Sequence, residues 1–510
     1  MFARKVKNRS GSVSVQVISK EQGRYRVECT VGTSSDPEEI ERLWMEAKRR
    51  AKEENPKQGR LFSLQSRDDL SAKSFIESFS NADVHVAGPE LIFGKLFDRI
   101  GLNQIPDAWF RHMVIARLAF PSSKLKTVDY LYRYEGKVVT VDALYKSLDR
   151  LHKRHKAQIE KIVYEHTRKR AKGISVVFYD VTTLYFEAED EDDLRKIGFS
   201  KDGKFQHPQV MLGLLVATGG LPIGYNLYEG NTFEGHTLMT SLKGIEKKYG
   251  FKPPVVIADA AMLSKKNLKE LEEAGHEYIV GARIKNESDQ IKREILKHSV
   301  SMKDGDHLFI ERDNGSRLLV TYSSTRAHKD SSNRDKGLRR LRKKLKSGRL
   351  TKQSINQRGY NKFLTLKGEV MITIDDEKIR RDGKWDGLKG YQTNTKFPAK
   401  TIIENYSQLW QIEKAFRISK TDLRIRPIYH YRRRRIESHL CVAFAAYAVY
   451  KELESLLKKN RVQMSAQKAS ELTRTMYELE YTLPDSRTRQ RQLLNMDDEQ
   501  SLLYRVVNEK

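Results

Sequence analysis

Residues 174–186 read ISVVFYDVTTLYF, a run of β-branched and aromatic residues with one acid, Asp180, set into it. The run is too apolar for a strand with one face in water, so it predicts a strand covered on both faces. A carboxylate there is costly unless it is paired or bound to a metal ion. Working outward, VMLGLLVA (210–217) is a second such run, joined through Gly219-Gly220-Leu221-Pro222 to IGYNLYEGN (223–231), which predicts a hairpin with a glycine-rich turn. PPVVIADAAML (253–263) predicts a short buried strand that delivers a second acid, Asp259, just past its end. It runs into a helix, LSKKNLKELEEAG, that stops at Gly275, and YIVGARI (278–284) is one more buried strand. Strand, hairpin strands, strand, helix, strand predicts an α/β core on a mixed sheet. Asp180 and Asp259 each end an apolar run, at the edge where α/β sheets build their sites.

The chain has 510 residues, 38% of them hydrophobic, with 95 Lys and Arg against 67 Asp and Glu and a formal charge of +28. That length holds more than one core, since single cores stop growing at roughly 250–300 residues. The charge points to a polyanionic partner. MFARKVKNRS has no apolar stretch behind its basic residues, so no signal peptide is expected, and the expected location is cytoplasmic, at the nucleoid. The most apolar run, LCVAFAAYAVY (440–450), falls short of the ~20 residues that span a bilayer and predicts a buried helix, with no membrane partner. Cys29 and Cys441 are far apart and lack CxxC spacing, which excludes a cysteine-based zinc site and argues against a disulfide. Any metal must sit on carboxylates.

Along the rest of the chain, SVSVQVI (12–18) and the pattern resuming at Tyr25 predict a small β-hairpin around Gly23, followed by a helix that Asp36-Pro37-Glu38-Glu39 opens. Residues 88–172 are helical in pattern; in VDALYKSLDRLHKR (141–154), Leu144, Leu148 and Leu151 share one face, as in a DNA-contacting helical unit or a plain basic bundle. Between Asn286 and about residue 397 the alternation of strand and helix is lost, although HLFIERD, SRLLVTYSS and EVMITID read as strands, and a β-rich inserted domain is expected. Arg326 to Lys352 holds twelve Lys or Arg against two Asp, with Arg339, Arg340, Arg342, Lys343 and Lys344 in helical spacing, a run suited to neutralising phosphates. Arg432 to Arg435 follows the helical stretch 401–420 closely enough to meet the same polyanion. The tail after 460 reads as helical.

The third acid is Glu413, in TIIENYSQLWQIEKAFRISK (401–420). Tyr406, Glu413 and Lys420 are seven apart, and at 3.6 residues per turn they drift only about 20° per step on an unbroken helix. Three carboxylates from two strands and a helix suit hard cations, two Mg²⁺ or Mn²⁺ ions. Such a pair, about 4 Å apart, activates water and stabilises the leaving 3′ oxygen in cutting DNA.

These residues resemble the DDE transposases of bacterial insertion sequences, in the branch whose last catalytic helix carries Tyr-x2-Arg-x3-Glu-x6-Lys. The likeness rests on Tyr406 to Lys420, on YDVTTLYFE around Asp180, GFSKDGK (198–204), LPIGYNLYEGNTFEGHT (221–237), VIADAAMLS around Asp259 and DLRIRPIYHY (422–431), and it spans most of 95–450. It implies a ribonuclease H-like core interrupted by an insertion domain between the second Asp and the Glu, with Tyr406 and Lys420 on DNA phosphate near the scissile bond. Leu409 stands at the signature's Arg position, with Arg417 and Arg424 as candidates to take its place, and Ala261 stands where relatives commonly have Gly. The expected organisation is 1–87 N-terminal hairpin and helix, 88–172 helical DNA-end binding, 173–285 and 397–460 catalytic core, 286–396 insertion and 461–510 tail. The expected activity is transposition: binding inverted-repeat ends as a homodimer on double-stranded DNA, cleavage, and transfer of 3′-OH ends to target. The same carboxylates would serve a ribonuclease H-like nuclease without strand transfer, and the charge alone a defunct DNA-binding relict.

Overall fold

The computed structural model describes residues 1–21, 23–53, 73, 75–77, 79–201, 203–252, 255–260, 264–348, 350–356, 358–367, 371–483 and 487–509. The position read at Ala261 lies outside the described residues, as do Pro253, Pro254, Glu369 and Val370 at the starts of two expected strands. The chain divides into two compact units, Met1–Val84 with Glu480–Arg491 and His85–Leu479 with Gln492–Lys510.

In the first unit, β1 (Phe2–Lys7), β2 (Val13–Glu21) and β3 (Arg24–Ser34) form an antiparallel sheet in that order, and helix α1 (Pro37–Glu53) packs on it. The expected hairpin is thus two strands of a three-stranded sheet. FARKVK hides the first strand because its face is largely exposed and basic, so hydropathy shows no alternation. Gly23 takes φ +84° in the turn, which a side chain would resist. Val15, Val17, Ala47 and Ala51 make this unit's small core.

In the second unit a short helical turn at Lys95–Ile100 is followed by helices α2 (Ala108–Ala119), α3 (Lys124–Glu135), α4 (Val141–Arg150) and α5 (Lys156–Arg170). Leu144, Leu148 and Leu151 are fully buried, as their shared face predicts. These helices belong to the same hydrophobic core that covers one face of the sheet.

The sheet follows: β4 (Val176–Tyr185), β5 (Gln209–Ala217), β6 (Leu221–Glu229), β7 (Val255–Ala258) and β8 (Glu277–Ala282), with helices α6 (Thr237–Tyr249) and α7 (Lys265–Glu273) between them. The order is β6-β5-β4-β7-β8, in which β5 runs against the others. β4 and β5 are buried nearly throughout, the reason their sequence lacks a polar face. Even-numbered residues of β4, such as Val176 and Phe178, enter the larger core, while Val177, Tyr179 and Val181 enter the core under α6 and α7.

Residues 286–396 differ from a self-contained insertion. Their strands β9 (His307–Glu311), β10 (Arg317–Tyr322) and β13 (Leu388–Thr393) continue the sheet past β8, β13 pairing antiparallel with β8, to give eight strands in all. Backbone hydrogen bonds therefore tie this stretch to the core. Helix α8 (Asp289–Ser299) precedes β9; separate from the sheet are helix α9 (Ser324–Lys346) and the hairpin β11 (Leu364–Lys367) and β12 (Met371–Ile374), which share a small apolar cluster.

After α10 (Asp376–Gly383) come α11 (Ala399–Ser407), α12 (Trp410–Arg417) and the long α13 (Arg433–Lys459), whose 440–450 stretch is buried as expected. The tail is only partly helical: between α14 (Ala466–Thr473) and α15 (Asp498–Asn508) the sequence forms strands Tyr477–Thr482 and Arg489–Leu493. In YELEYT the Tyr and Leu alternate with Glu, a period-two signal that the high charge of the tail masks. Among the described residues no helix is long and apolar enough to cross a membrane.

Gly230 fixes the start of the loop that carries Glu234. A Cβ on Gly230 would fall 2.1 Å from the Gln209 carbonyl oxygen and 2.4 Å from that of Lys196, both backbone. Gly230→Ala is expected to destabilise the unit by more than about 3 kcal/mol, because overpacking against backbone leaves nothing that can rotate away. The midpoint of urea unfolding reads the change.

Candidate active site

β4 and β7 run parallel with Tyr179 opposite Ala258, so the next residue on each chain, Asp180 and Asp259, stands on the same side of the sheet. That side is the one carrying Val176, Phe178 and Ile257, and it is covered by α12 through Ile412, Ala415 and Phe416. Asp259 lies just past the end of β7, as expected, and is exposed. Asp180 departs from expectation. It sits in mid-strand opposite Leu214, because VTTLY continues the strand through Tyr185.

Burial raises the Asp180 carboxyl to about 6, with the charges of Glu234 and Asp259 adding to the effect. Opposing it are the Lys201 ammonium, 3.8 Å from Asp180 Oδ1, and the Val181 N–H, which donates to the same oxygen at 2.8 Å. Lys201 also donates to the Val181 carbonyl at 2.8 Å and to Glu234 at 2.9 Å. Neither Lys201 nor Glu234 is singled out by the sequence. Their motifs, GFSKDGK and EGNTFEGHT, carry the family resemblance, yet nothing local in either loop marks which residue reaches Asp180.

Glu413 lies in the first turn of α12, exposed, on the helix over the same sheet face. The unbroken helix expected over 401–420 is interrupted twice. α11 ends at Ser407, α12 starts at Trp410, and residues Ile418–Asp422 form a wider π-helical turn. The seven-residue argument therefore does not carry through to Lys420, which is half-buried in that turn. Tyr406 is buried, and its hydroxyl points at Asp259 Oδ1 over 3.5 Å, the long end of a hydrogen bond. Burial, then the charge of Asp259 and, more weakly, that of Glu413, push its hydroxyl pKa up. Tyr406 thus reaches Asp259 and lies within electrostatic range of Glu413. Lys389, on β13, holds its ammonium 4.6 Å over the Tyr406 ring, a basic neighbour contributed by the 286–396 stretch.

As the side chains lie, no three His, Cys, Asp or Glu among the described residues stand close enough to hold one ion. The donors nevertheless suit a hard divalent cation. All are carboxylate oxygens, and around a partly buried Asp180 negative charge accumulates from Asp259 and Glu234 with an ammonium to oppose it.

The basic residues fall into distinct settings. Arg339, Arg340, Arg342, Lys343 and Lys344 are all exposed on α9, opposite the buried Gly337, Leu338 and Leu341. Arg417 is exposed at the end of α12. Arg424 is exposed with φ +45°, its carbonyl accepting from Arg117 at 3.3 Å. Leu409 packs against the main core, so the position of the absent signature arginine serves packing here. Arg434 and Arg435 both pair with Asp149, at 2.9 and 3.0 Å, and Arg433 with Glu437 at 3.1 Å. Arg433, Arg434 and Arg435 thus each have an acidic partner within the chain.

A search of curated proteins finds no match. Among solved structures, a piggyBac transposase synaptic complex with hairpin DNA is 11% identical, over 76% of this chain and 76% of that one, with a TM-score of 0.39. The Mos1 transposase paired-end complex with left transposon end is 11% identical, over 33% of this chain and 56% of that one, with a TM-score of 0.16. Likenesses at that level carry no argument. The sequence itself matches the family described as the transposase DDE domain over residues 171–449, from the end of α5 into α13 and more than half of the 510 residues. The protein belongs to the transposase DDE domain family.

Proposed function

We propose that the protein is a transposase that binds the inverted-repeat ends of its mobile element, cuts DNA there with divalent cations, and transfers the freed 3′-OH ends to target DNA. The observation that carries this reading is the shared face: Asp180 and Asp259 side by side on the sheet, with Glu413 on the helix above. Asp180, Asp259 and Glu413 would hold Mg²⁺ or Mn²⁺, which when bound supplies an activated nucleophile and charge stabilisation at the phosphate. Tyr406 orients Asp259, and the exposed basic face of α9 holds the DNA backbone. A ribonuclease H-like core is supported by the strand order with one reversed strand, the first acid on the first core strand and the second after the fourth. Acting on two element ends implies at least a homodimer on DNA.

Incubating the protein with Mg²⁺ and a duplex bearing the element's ends tests this. Nicking at the ends, and joining of pre-cut ends to a plasmid, are the expected results. Cutting without joining would leave a nuclease, and binding without cutting a relict.

The α9 face gives a separate expectation. Removing one cation from a phosphate lowers the slope of log K against log salt by about 0.9. Arg342→Ala with Lys343→Ala should flatten that slope by up to about 1.8 without changing sequence preference, because interactions with the DNA backbone carry no sequence information. Filter binding at several salt concentrations measures it.

A further inference from the structure

Lys201 is an exposed residue, yet it has partners that a solvated lysine lacks. Its backbone N–H donates to Thr183 Oγ1 at 3.2 Å, and the neighbouring Phe199 carbonyl accepts from Gln209, a fully buried side chain that also donates to the Gly230 carbonyl at 2.8 Å. The ammonium is anchored on the Val181 carbonyl and Glu234, and stands 3.8 Å from Asp180. Glu234 is fixed in turn, since its carbonyl accepts from Thr237 Oγ1 at 2.6 Å and the next carbonyl, of Gly235, from the buried Asn267. Two separate loops are thus built to bring one cation and one extra carboxylate to the side of Asp180.

We propose that Lys201 is a positioning residue for the metal site: its ammonium bridges Asp180 and Glu234 while no divalent cation is bound, and an arriving cation must displace it. This rests on the metal-dependent reading above. An ammonium balances part of the negative charge and keeps Asp180 in place. A divalent ion drawn to the same oxygens would be repelled by it at close range, in a setting where neither charge is fully solvated. The bridge therefore sets a threshold for metal loading and favours loading once DNA phosphate can accept the released ammonium.

The test is Mn²⁺ titration of the full chain without DNA at one fixed pH, by calorimetry, for wild type, Lys201→Met, Lys201→Gln, Lys201→Arg and Asp180→Asn. Lys201→Met and Lys201→Gln are expected to bind Mn²⁺ about tenfold or more tightly than wild type, since each removes the competing charge. Lys201→Arg, which keeps the charge, should stay near wild type. In EDTA the Met and Gln variants should melt lower than wild type, and Mn²⁺ should raise their melting temperatures by more than it raises that of wild type. Unchanged or weaker Mn²⁺ binding by whichever of the two neutral variants folds overturns the proposal. Asp180→Asn separates the two readings. If it loses Mn²⁺ binding while the neutral Lys201 variants bind as wild type does, only the role of Lys201 fails; if it binds Mn²⁺ like wild type, the metal reading fails and this inference with it.

Discussion

Asp180→Asn is expected to end DNA cleavage and at the same time to make the metal-free protein more stable at neutral pH. Burial raises the Asp180 carboxyl from 3.8 to about 6. A folded-state value above the unfolded one means that the native protein holds the proton more tightly between those two pH values. Stability is therefore lost as pH rises from about 4 to about 6, and above that window the ionised group costs the fold on the order of 2–3 kcal/mol. Asn removes the charge at nearly the same volume. Lys201 keeps two of its partners, the Val181 carbonyl and Glu234. In EDTA at pH 7.5 the variant should melt several degrees above wild type, and the difference should vanish near pH 4, where both side chains are neutral. Added Mn²⁺ should close the gap from the other direction, because ligand binding to the folded state stabilises wild type alone. An Asn variant that melts below wild type in EDTA would remove the strained carboxylate from the account.

The strands that carry the two aspartates are legible because double-sided burial leaves a distinctive composition: VVFYD and VVIAD are apolar or aromatic up to the acid itself. The position of Asp180 within its strand is not legible. An acid normally ends an apolar run, and only the Lys201 ammonium from a neighbouring loop and the Val181 N–H offset part of the cost of a mid-strand carboxylate. Pairing between distant segments is equally hidden. SRLLVTYSS reads correctly as a strand, yet nothing in it says that β10 joins β13, and through it β8, instead of forming a domain apart. The break after Ser407 has no Gly or Pro to announce it, since Gln408 and Leu409 keep helical angles while the hydrogen-bond ladder slips. Resemblance to DDE transposases marks the loops at 198–204 and 221–237 as meaningful, without saying which side chain in each reaches the acids.

Glu413→Gln should lower cleavage by at least about a thousandfold, well beyond the roughly 10–100-fold that losing an outer partner of a metal ligand costs. Glu413 is exposed on α12, and the change keeps length and helix propensity, so the fold should shift by no more than about 0.5 kcal/mol. DNA binding should be unaffected. Tyr406→Phe supplies the internal scale: its hydroxyl acts through Asp259, which it reaches over 3.5 Å, so its loss belongs in the 10–100-fold class. The comparison matters because the interrupted helix no longer guarantees Glu413 its place, and a rival acid, Glu234, already acts on Asp180 electrostatically. Single-turnover nicking of an end-bearing duplex by the Glu413→Gln and Glu234→Gln proteins decides between them. If Glu413→Gln cuts within tenfold of wild type while Glu234→Gln is inert, the third ligand is Glu234, and α12 serves to cover the site rather than to complete it.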